Sequence, residues 1–473
     1  MFDLRGMYRC LADATMFGRG NERFSGISTD TRSLRAGDLY IALRGERLDG
    51  HQFLDDALKA GAAGLMTEVD PRAFKVPALW VPDTRRALGA LAAGWRRAVD
   101  CPLIGITGSN GKTTTKEMIA AILAAHFGKE QVLATRGNFN NDIGVPLTLL
   151  RLDASHRLGV VEMGMNHPGE IAKLAAMVKP DVALVLNAQR EHQEFLNGPQ
   201  ATARENGSVF LELSSAGVAV FPGDDPCTPI WQQMAERRRV LCFGLVDDLG
   251  SPEAGSRGRG QSTDSLPPLT VAAARNSRPE SFRARLGDEL VEIRLGIVGR
   301  HNVHNALAAA ACSWAAGIPV EAIVRGLADF MPANGRLQRK LGPAGSAIID
   351  DTYNANPDSM RAAIDVLMDQ PAPRLLIMGD MAETGAHSEA FHREVGAYAS
   401  SQGVEMVWTV GHDMKFAAVA EKFLHWPSVD DLLASHPEMP AGYASVLIKG
   451  SRFMRMERIV NAWVYPPSSV EGL

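Results

Sequence analysis

Ile104 to Lys116, I-G-I-T-G-S-N-G-K-T-T-T-K, set an apolar strand, a glycine turn and a Lys-Thr pair in sequence, the composition of a phosphate cradle. Gly108 and Gly111 can take backbone angles closed to other residues, and Thr113 to Ala125 carry helical periodicity, so the loop opens a helix. Backbone N–H groups at such a start point at a phosphate chain. Lys112 can neutralise β and γ oxygens there, and the Thr113 hydroxyl can complete a magnesium shell. The strict pattern G-x-x-x-x-G-K-[ST] needs a glycine where Ile106 stands, so the loop is a shortened variant. A glycine turn by itself is also a plain strand-to-helix connection. The strand before it and the Lys-Thr pair after it are what select nucleotide binding.

Three further segments hold polar residues that could carry chemistry. Glu162 ends the strand Leu158 to Glu162 and precedes M-G-M-N-H-P-G-E, where a carboxylate can hold Mg²⁺ opposite Thr113 or simply cap a turn. Asn187 to Glu194, N-A-Q-R-E-H-Q-E, follows the strand Val182 to Leu186 and brings His192, a metal or phosphate contact or an ordinary polar histidine. Gly137 to Gly144, G-N-F-N-N-D-I-G, holds three asparagines whose amides can read sugar, peptide or base edges or can just form turns. Farther on, I-D-D-T-Y-N-A-N-P-D-S at Ile349 to Ser359 offers Asp350 and Asp351 to ribose hydroxyls or metal, with Asp358 and Ser359 as helix caps.

The elements that must position these groups alternate strand and helix from Cys101 onward, which predicts a parallel sheet covered by helices whose ligands sit at the strands' carboxyl edge. The expected fold class is α/β in three domains. Residues 1–99 form a small mixed α/β domain, 100–330 a central P-loop-type ATP-binding domain, and 331–473 a Rossmann-like domain. Within the central domain the Gly, Ser, Pro and Arg content of Val246 to Arg285 predicts a mobile surface insertion. An Ala-rich helix is expected over Asn305 to Ala316, ended by Gly317.

With 473 residues and 46% hydrophobic composition the chain can bury several cores. A net charge of -5, with no long basic run, argues against nucleic acid or an anionic membrane as partner and favours a small-molecule enzyme. Five scattered cysteines without C-x-x-C spacing read as reduced thiols. Neither a leader pattern nor a span of about twenty apolar residues is visible, so a soluble cytoplasmic monomer is expected.

Together these segments resemble the Mur ligase family, ATP-dependent amide-forming enzymes that build the peptide of bacterial peptidoglycan precursors. T-G-S-N-G-K-T-T at Thr107 to Thr114, H-N-V-H-N-A-L-A-A at His301 to Ala309 and the Asp350 loop match the family's phosphate loop, central helix and third-domain signatures. The stretches Thr135 to Leu150, Val161 to Glu170 and Asp350 to Met360 are most similar to members that join D-alanyl-D-alanine to UDP-N-acetylmuramoyl-tripeptide. The D-N-P-R motif usual in the sibling ligase that adds the third amino acid does not occur. That sibling, a folate polyglutamate synthetase and a non-ligase ATP-driven switch stay as alternatives.

Carried over residue by residue, the resemblance implies that Gly108, Ser109, Asn110, Gly111, Lys112, Thr113 and Thr114 hold the triphosphate of ATP. Thr113, Glu162 and His192 would surround Mg²⁺, and Lys112, Glu162 and His192 would be catalytic. Asn305 would face adenine, while Arg336 and Asp351 would approach the nucleotide from the third domain. Ser28, Thr29, Asp30, Arg32, Gly45 and His51 would hold the UDP end of the substrate, Asn138, Asn140 and Asn141 its sugar-peptide part, and Lys449 the reacting end. Many family members carry a carbamylated lysine downstream of the histidine for a second metal. Here no lysine lies between His192 and Val220, and Asn206 falls at that place by spacing.

Overall fold

A computed structural model describes residues 3–45, 48–190, 198–249 and 269–464. Three sheets follow one another along the chain. The first has five strands in the order Thr15–Phe17, Ala78–Trp80, Gly64–Thr67, Leu39–Ile41, Ile27–Ser28, antiparallel at the first pair and parallel thereafter. Helix Thr84–Ala98, capped at its start by the Asp83 carboxylate, leads out of this sheet into the phosphate-cradle strand.

The second sheet has nine strands, and Leu103–Thr107 lies inside it between Leu158–Glu162 and Val182–Val185, parallel to both. The strands added later in sequence extend away on the Val182–Val185 side, so the chain reverses its strand order beside Leu103–Thr107. Such a switch point opens a crevice at the carboxyl ends, and the phosphate loop leaves the strand there. Continuous burial of all five residues of Leu103–Thr107 and of Leu158–Glu162 is what helices on both faces demand. The loop's helix, Lys112–Phe127, packs against helices His301–Ala315 and Val320–Ala328. Gly326 lets the last of these come close, because a Cβ there would stand 2.3 Å from Ile122 Cα.

The structure corrects the expectation of a mobile insertion at Val246 to Arg285, because the described part of that segment continues the sheet. Leu269–Ala274 pairs in parallel with Arg239–Val246, and Phe282–Leu286 and Glu289–Ile293 complete the edge antiparallel. Phe282, Ala284 and Leu286 point inward while Arg283 faces water, a period of two that loop-like composition concealed. Residues 250–268, including Ser251 to Gly260, lie outside the described residues.

The third sheet has six strands in the order Gln338–Leu341, Ala347–Asp351, Ser445–Lys449, Arg374–Gly379, Met406–Val410, Phe423–Trp426, all parallel except the first. Asp351 and Lys449 are register partners at the carboxyl ends of neighbouring strands. The central helix begins at His301, and Asn305 on it is buried.

Candidate active site

The phosphate loop is held from beneath by the segment after Val182–Val185. Asn187 Oδ1 accepts from the backbone N–H groups of Ser109 and Asn110 at 3.1 and 3.0 Å, and its Nδ2 donates to the Asn110 carbonyl at 2.9 Å. Gln189 N–H donates to Ser109 Oγ at 2.9 Å. Those two loop N–H groups are therefore spent on the protein, and the ones left for an anion are those of the first helical turn, whose cap residue Gly111 has no side chain to cover them. The Lys112 ammonium lies back on the carbonyl oxygens of Gly108 and Ser109, the latter at 3.0 Å.

Glu162 comes to the same place from the neighbouring strand. Its Oε1 accepts from the Thr113 hydroxyl at 3.2 Å and from Asn140 Nδ2 at 2.9 Å. Its Oε2 is buried and has no hydrogen-bond partner among the described residues. An orphaned carboxylate oxygen beside a threonine hydroxyl is a hard-oxygen pair that suits Mg²⁺ shared with phosphates. Behind it, the Lys116 ammonium, on a fully buried side chain, donates to the Thr135 carbonyl at 2.9 Å, and the Thr135 hydroxyl accepts from Glu162 N–H at 3.0 Å.

From the third sheet Arg336 reaches across and donates to Thr113 Oγ1 at 3.2 Å, its guanidinium 4.0 Å from the Tyr353 ring centroid. Lys449 Nζ donates to Asp351 Oδ2 at 2.6 Å and to the Asn354 carbonyl at 2.8 Å. Phosphate loop, Glu162, asparagine loop, Arg336, Asp351 and Lys449 all line one cleft of about 720 Å³. The fold thus brings together residues separated by more than two hundred positions.

Three family models match the chain: Mur ligase family, catalytic domain over residues 23–96; Mur ligase middle domain over 106–313; and Mur ligase, glutamate ligase domain over 335–452. The UDP-N-acetylmuramoyl-tripeptide–D-alanyl-D-alanine ligase of Escherichia coli (strain K12) is 39% identical over 92% of this chain and 93% of its own length. The chain belongs to the Mur ligase family. It is accordingly an amide-bond-forming ligase. The ligase of the same name from Bacillus subtilis (strain 168) is 32% identical, with 94% of each chain covered. Among solved structures, MurF from Acinetobacter baumannii aligns with a TM-score of 0.84 at 32% identity, covering 97% of this chain and 98% of that one. MurF from Thermotoga maritima in complex with ADP aligns at 0.76 and 25% identity, covering 92% and 96%.

Several residues singled out in this Mur ligase by sequence stand elsewhere. Ser28, Thr29, Asp30 and Arg32 form a turn far along the first sheet, where Arg32 chelates Asp30 and the Ser28 hydroxyl donates to the Asp30 carbonyl. His51 is held inside that unit: Nε2 accepts from Glu68 N–H at 3.0 Å and Nδ1 faces Asp49 at 2.6 Å. Gly45 N–H donates to the Leu48 carbonyl at 2.9 Å. None of these six lines the cleft.

The asparagines divide their work. Asn138 lines the cleft, Asn140 holds Glu162, and Asn141 Oδ1 accepts from Gly144 N–H at 2.9 Å, a turn-forming role. Asp350 is not offered to a ligand, since Lys340 and the Thr352 hydroxyl bind it at 2.7 and 2.6 Å. The cap of helix Pro357–Met368 is Asn356 with Ser359 in a capping box, and Asp358 is turned to another partner, Arg190. Asn206 accepts from the Thr107 hydroxyl at 2.6 Å. His192 lies outside the described residues. Burial pushes the Cys101 thiol up to about 11 and Cys242 up to about 12, which leaves these two as core residues rather than nucleophiles.

Sequence alone singled out the Asn187 to Glu194 segment after its apolar strand but not the role of Asn187 and Gln189 as supports of the phosphate loop. It also missed the cleft wall formed by Arg85, paired with Asp142 at 2.6 Å, and by Arg452 and Phe453. Asn305 is not among the residues that line the cleft. It packs under the loop, where a Cβ on Gly111 would stand 2.5 Å from its Oδ1, and its own amide donates to Asn302 at 2.8 Å. Gly111 has φ of +84°, so Gly111→Ala combines left-handed strain with a steric clash. It is expected to cost about 1–3 kcal/mol of stability and to weaken ATP binding at least about tenfold. Denaturant unfolding and a nucleotide titration measure the two effects separately.

Proposed function

We propose that this Mur ligase joins D-alanyl-D-alanine to UDP-N-acetylmuramoyl-tripeptide at the expense of ATP, which leaves as ADP and phosphate, giving the UDP-pentapeptide. A carboxylate resists attack by an amine, because charge and resonance make its carbon a poor electrophile. In the first step the tripeptide's terminal carboxylate oxygen attacks the γ-phosphorus, an O–P bond forms, and the bond to ADP breaks. In the second the free amine of D-alanyl-D-alanine attacks the acyl carbon, a C–N bond forms, the C–O bond breaks, and phosphate leaves with the amine's proton lost to solvent or base.

The observation that carries this reading is the single cleft in which the phosphate loop and Glu162 face Asp351 and Lys449. Lys112 and Arg336 bring positive charge to the transferring group. The asparagine loop, joined to helix Thr84–Ala98 through Arg85 and Asp142, bounds the side from which the sugar-peptide enters. The turn at Ser28 to Arg32 holds the UDP end at a distance, and Lys449 orients the reacting carboxylate. Enclosure between the two sheets excludes the water that would hydrolyse an acyl phosphate. Thr113 and Glu162 would hold Mg²⁺, and the ion when bound neutralises phosphate charge.

Phosphate release from ATP and Mg²⁺, with each acceptor omitted in turn and the nucleotide product weighed by mass spectrometry, tests the proposal. Release that requires both acceptors and yields a UDP-pentapeptide supports it. Release indifferent to D-alanyl-D-alanine overturns it in favour of a sibling ligase or a plain ATPase.

A further inference from the structure

Arg190 follows directly on the Asn187 to Gln189 segment that supports the phosphate loop, yet its side chain is turned to the third sheet's helices. Its Nε and one terminal nitrogen donate to Asp358, the shorter contact at 2.7 Å, and its two terminal nitrogens donate to Glu394 at 2.8 Å each. Its backbone N–H also donates to Asp358, at 3.0 Å, and the Phe391 ring lies 5.5 Å from the guanidinium carbon. Asp358 sits in the first turn of helix Pro357–Met368, and Glu394 on helix Ser388–Ser401. Four of the five guanidinium N–H groups are therefore committed to two carboxylates. Although Arg190 borders the cleft, it has neither the donors nor the net positive field of a phosphate-binding arginine.

A second seam runs alongside. Asn356, the cap of helix Pro357–Met368, donates to Asn110 Oδ1 in the phosphate loop at 2.9 Å. That amide pair is neutral and single, whereas Arg190 makes a bidentate grip on two helices at once, and such a partly buried charged network is the stronger of the two. The Glu394 carboxyl is held below its ordinary range, first by its bond to Arg190, and Arg190 is raised by Glu394 and then Asp358.

We propose that Arg190 is a positioning residue, a latch that holds the third sheet unit closed over the phosphate loop through Asp358 and Glu394 and so sets the fraction of molecules ready to bind nucleotide. In the arrangement the latch holds, Arg336 also spans from the third unit to Thr113, at 3.2 Å. Where the competent state is a fraction of the whole, apparent affinity falls by that fraction, while saturating substrate draws the remainder shut. Loss of the latch therefore raises KM more than it lowers kcat.

The kinetic part rests on the ligase reading above, whereas small-angle scattering of the ligand-free protein does not. Arg190→Ala is expected to enlarge the radius of gyration, to raise KM for ATP about tenfold and to leave kcat within about threefold, with Arg190→Lys intermediate. The double variant Arg190→Ala with Glu394→Ala should be no more open than Arg190→Ala alone, because both remove one coupling. An unchanged scattering curve overturns the latch. So does a collapse of kcat at constant KM, which would place Arg190 on the reacting phosphate. If Arg190→Ala does not fold, Glu394→Gln carries the same scattering test. A wild type without ligase activity removes the kinetic comparison, and the change in radius of gyration then decides the latch by itself.

Discussion

Lys112→Ala is expected to reduce phosphate release by at least about a thousandfold while the thermal midpoint moves by no more than about 2 °C. The first half follows from chemistry. Phosphoryl transfer offers a protein little covalent work, so rate depends on positioning and on charge placed against the transferring oxygens. Lys112 is the cation built into the loop itself, one residue past the uncapped glycine, and no other lysine in the loop can replace it, since the Lys116 ammonium is buried against Glu117 and Thr135. The second half follows from where the ammonium rests in the free protein. It lies on the loop's own carbonyl oxygens, including Ser109 at 3.0 Å, contacts that water can replace when the side chain is cut back. Steady-state kinetics together with a melting curve decide it. A folded variant of near-normal activity would remove the triphosphate from this loop.

Much of this site was legible because its parts share one grammar: an apolar strand, then a turn with small or polar residues, then a helix. Gly108 to Thr114, Glu162 and Asp351 were all found that way, and the switch-point topology gathers the first two. What escaped depended on contacts between segments remote in sequence. Arg190 meets its partners 168 and 204 positions away, and nothing local distinguishes it from any loop arginine. Asn305 carries the family helix signature, but nothing local in the sequence says that its side chain comes so close to Gly111.

The reading of Val246 to Arg285 as an insertion failed where burial and composition part company. Strand Leu269–Ala274 reads T-V-A-A-A after its first residue, small side chains that suit either a loop or a tightly packed sheet, and strand Phe282–Leu286 alternates arginine with apolar residues. Helix His301–Ala315 covers them, and only its presence makes Val271, Ala273 and Phe282 a core. The edge strand Gln338–Leu341 is polar for the complementary reason, since an edge strand half in water needs few apolar residues.

Glu162→Gln should separate stability from activity in opposite directions. In the free protein this carboxylate is 1% exposed, its donors Thr113 and Asn140 are neutral, and Oε2 has no partner among the described residues. A buried charge held so poorly costs folding free energy, and an amide of the same shape relieves that cost while Oε1 goes on accepting from both donors. The variant is therefore expected to melt higher than the wild type in the absence of ligands, by about 1–2 kcal/mol of added stability. Its turnover is expected to fall by about a hundred- to a thousandfold, as for loss of a group preorganised toward developing charge. Mn²⁺ titration by water-proton relaxation with ADP present, a readout independent of turnover, should weaken in step. Strain of this sign is what a site held ready for a cation ought to store, so a variant that melts lower, binds Mn²⁺ normally and still turns over would return Glu162 to the role of a turn-capping acid.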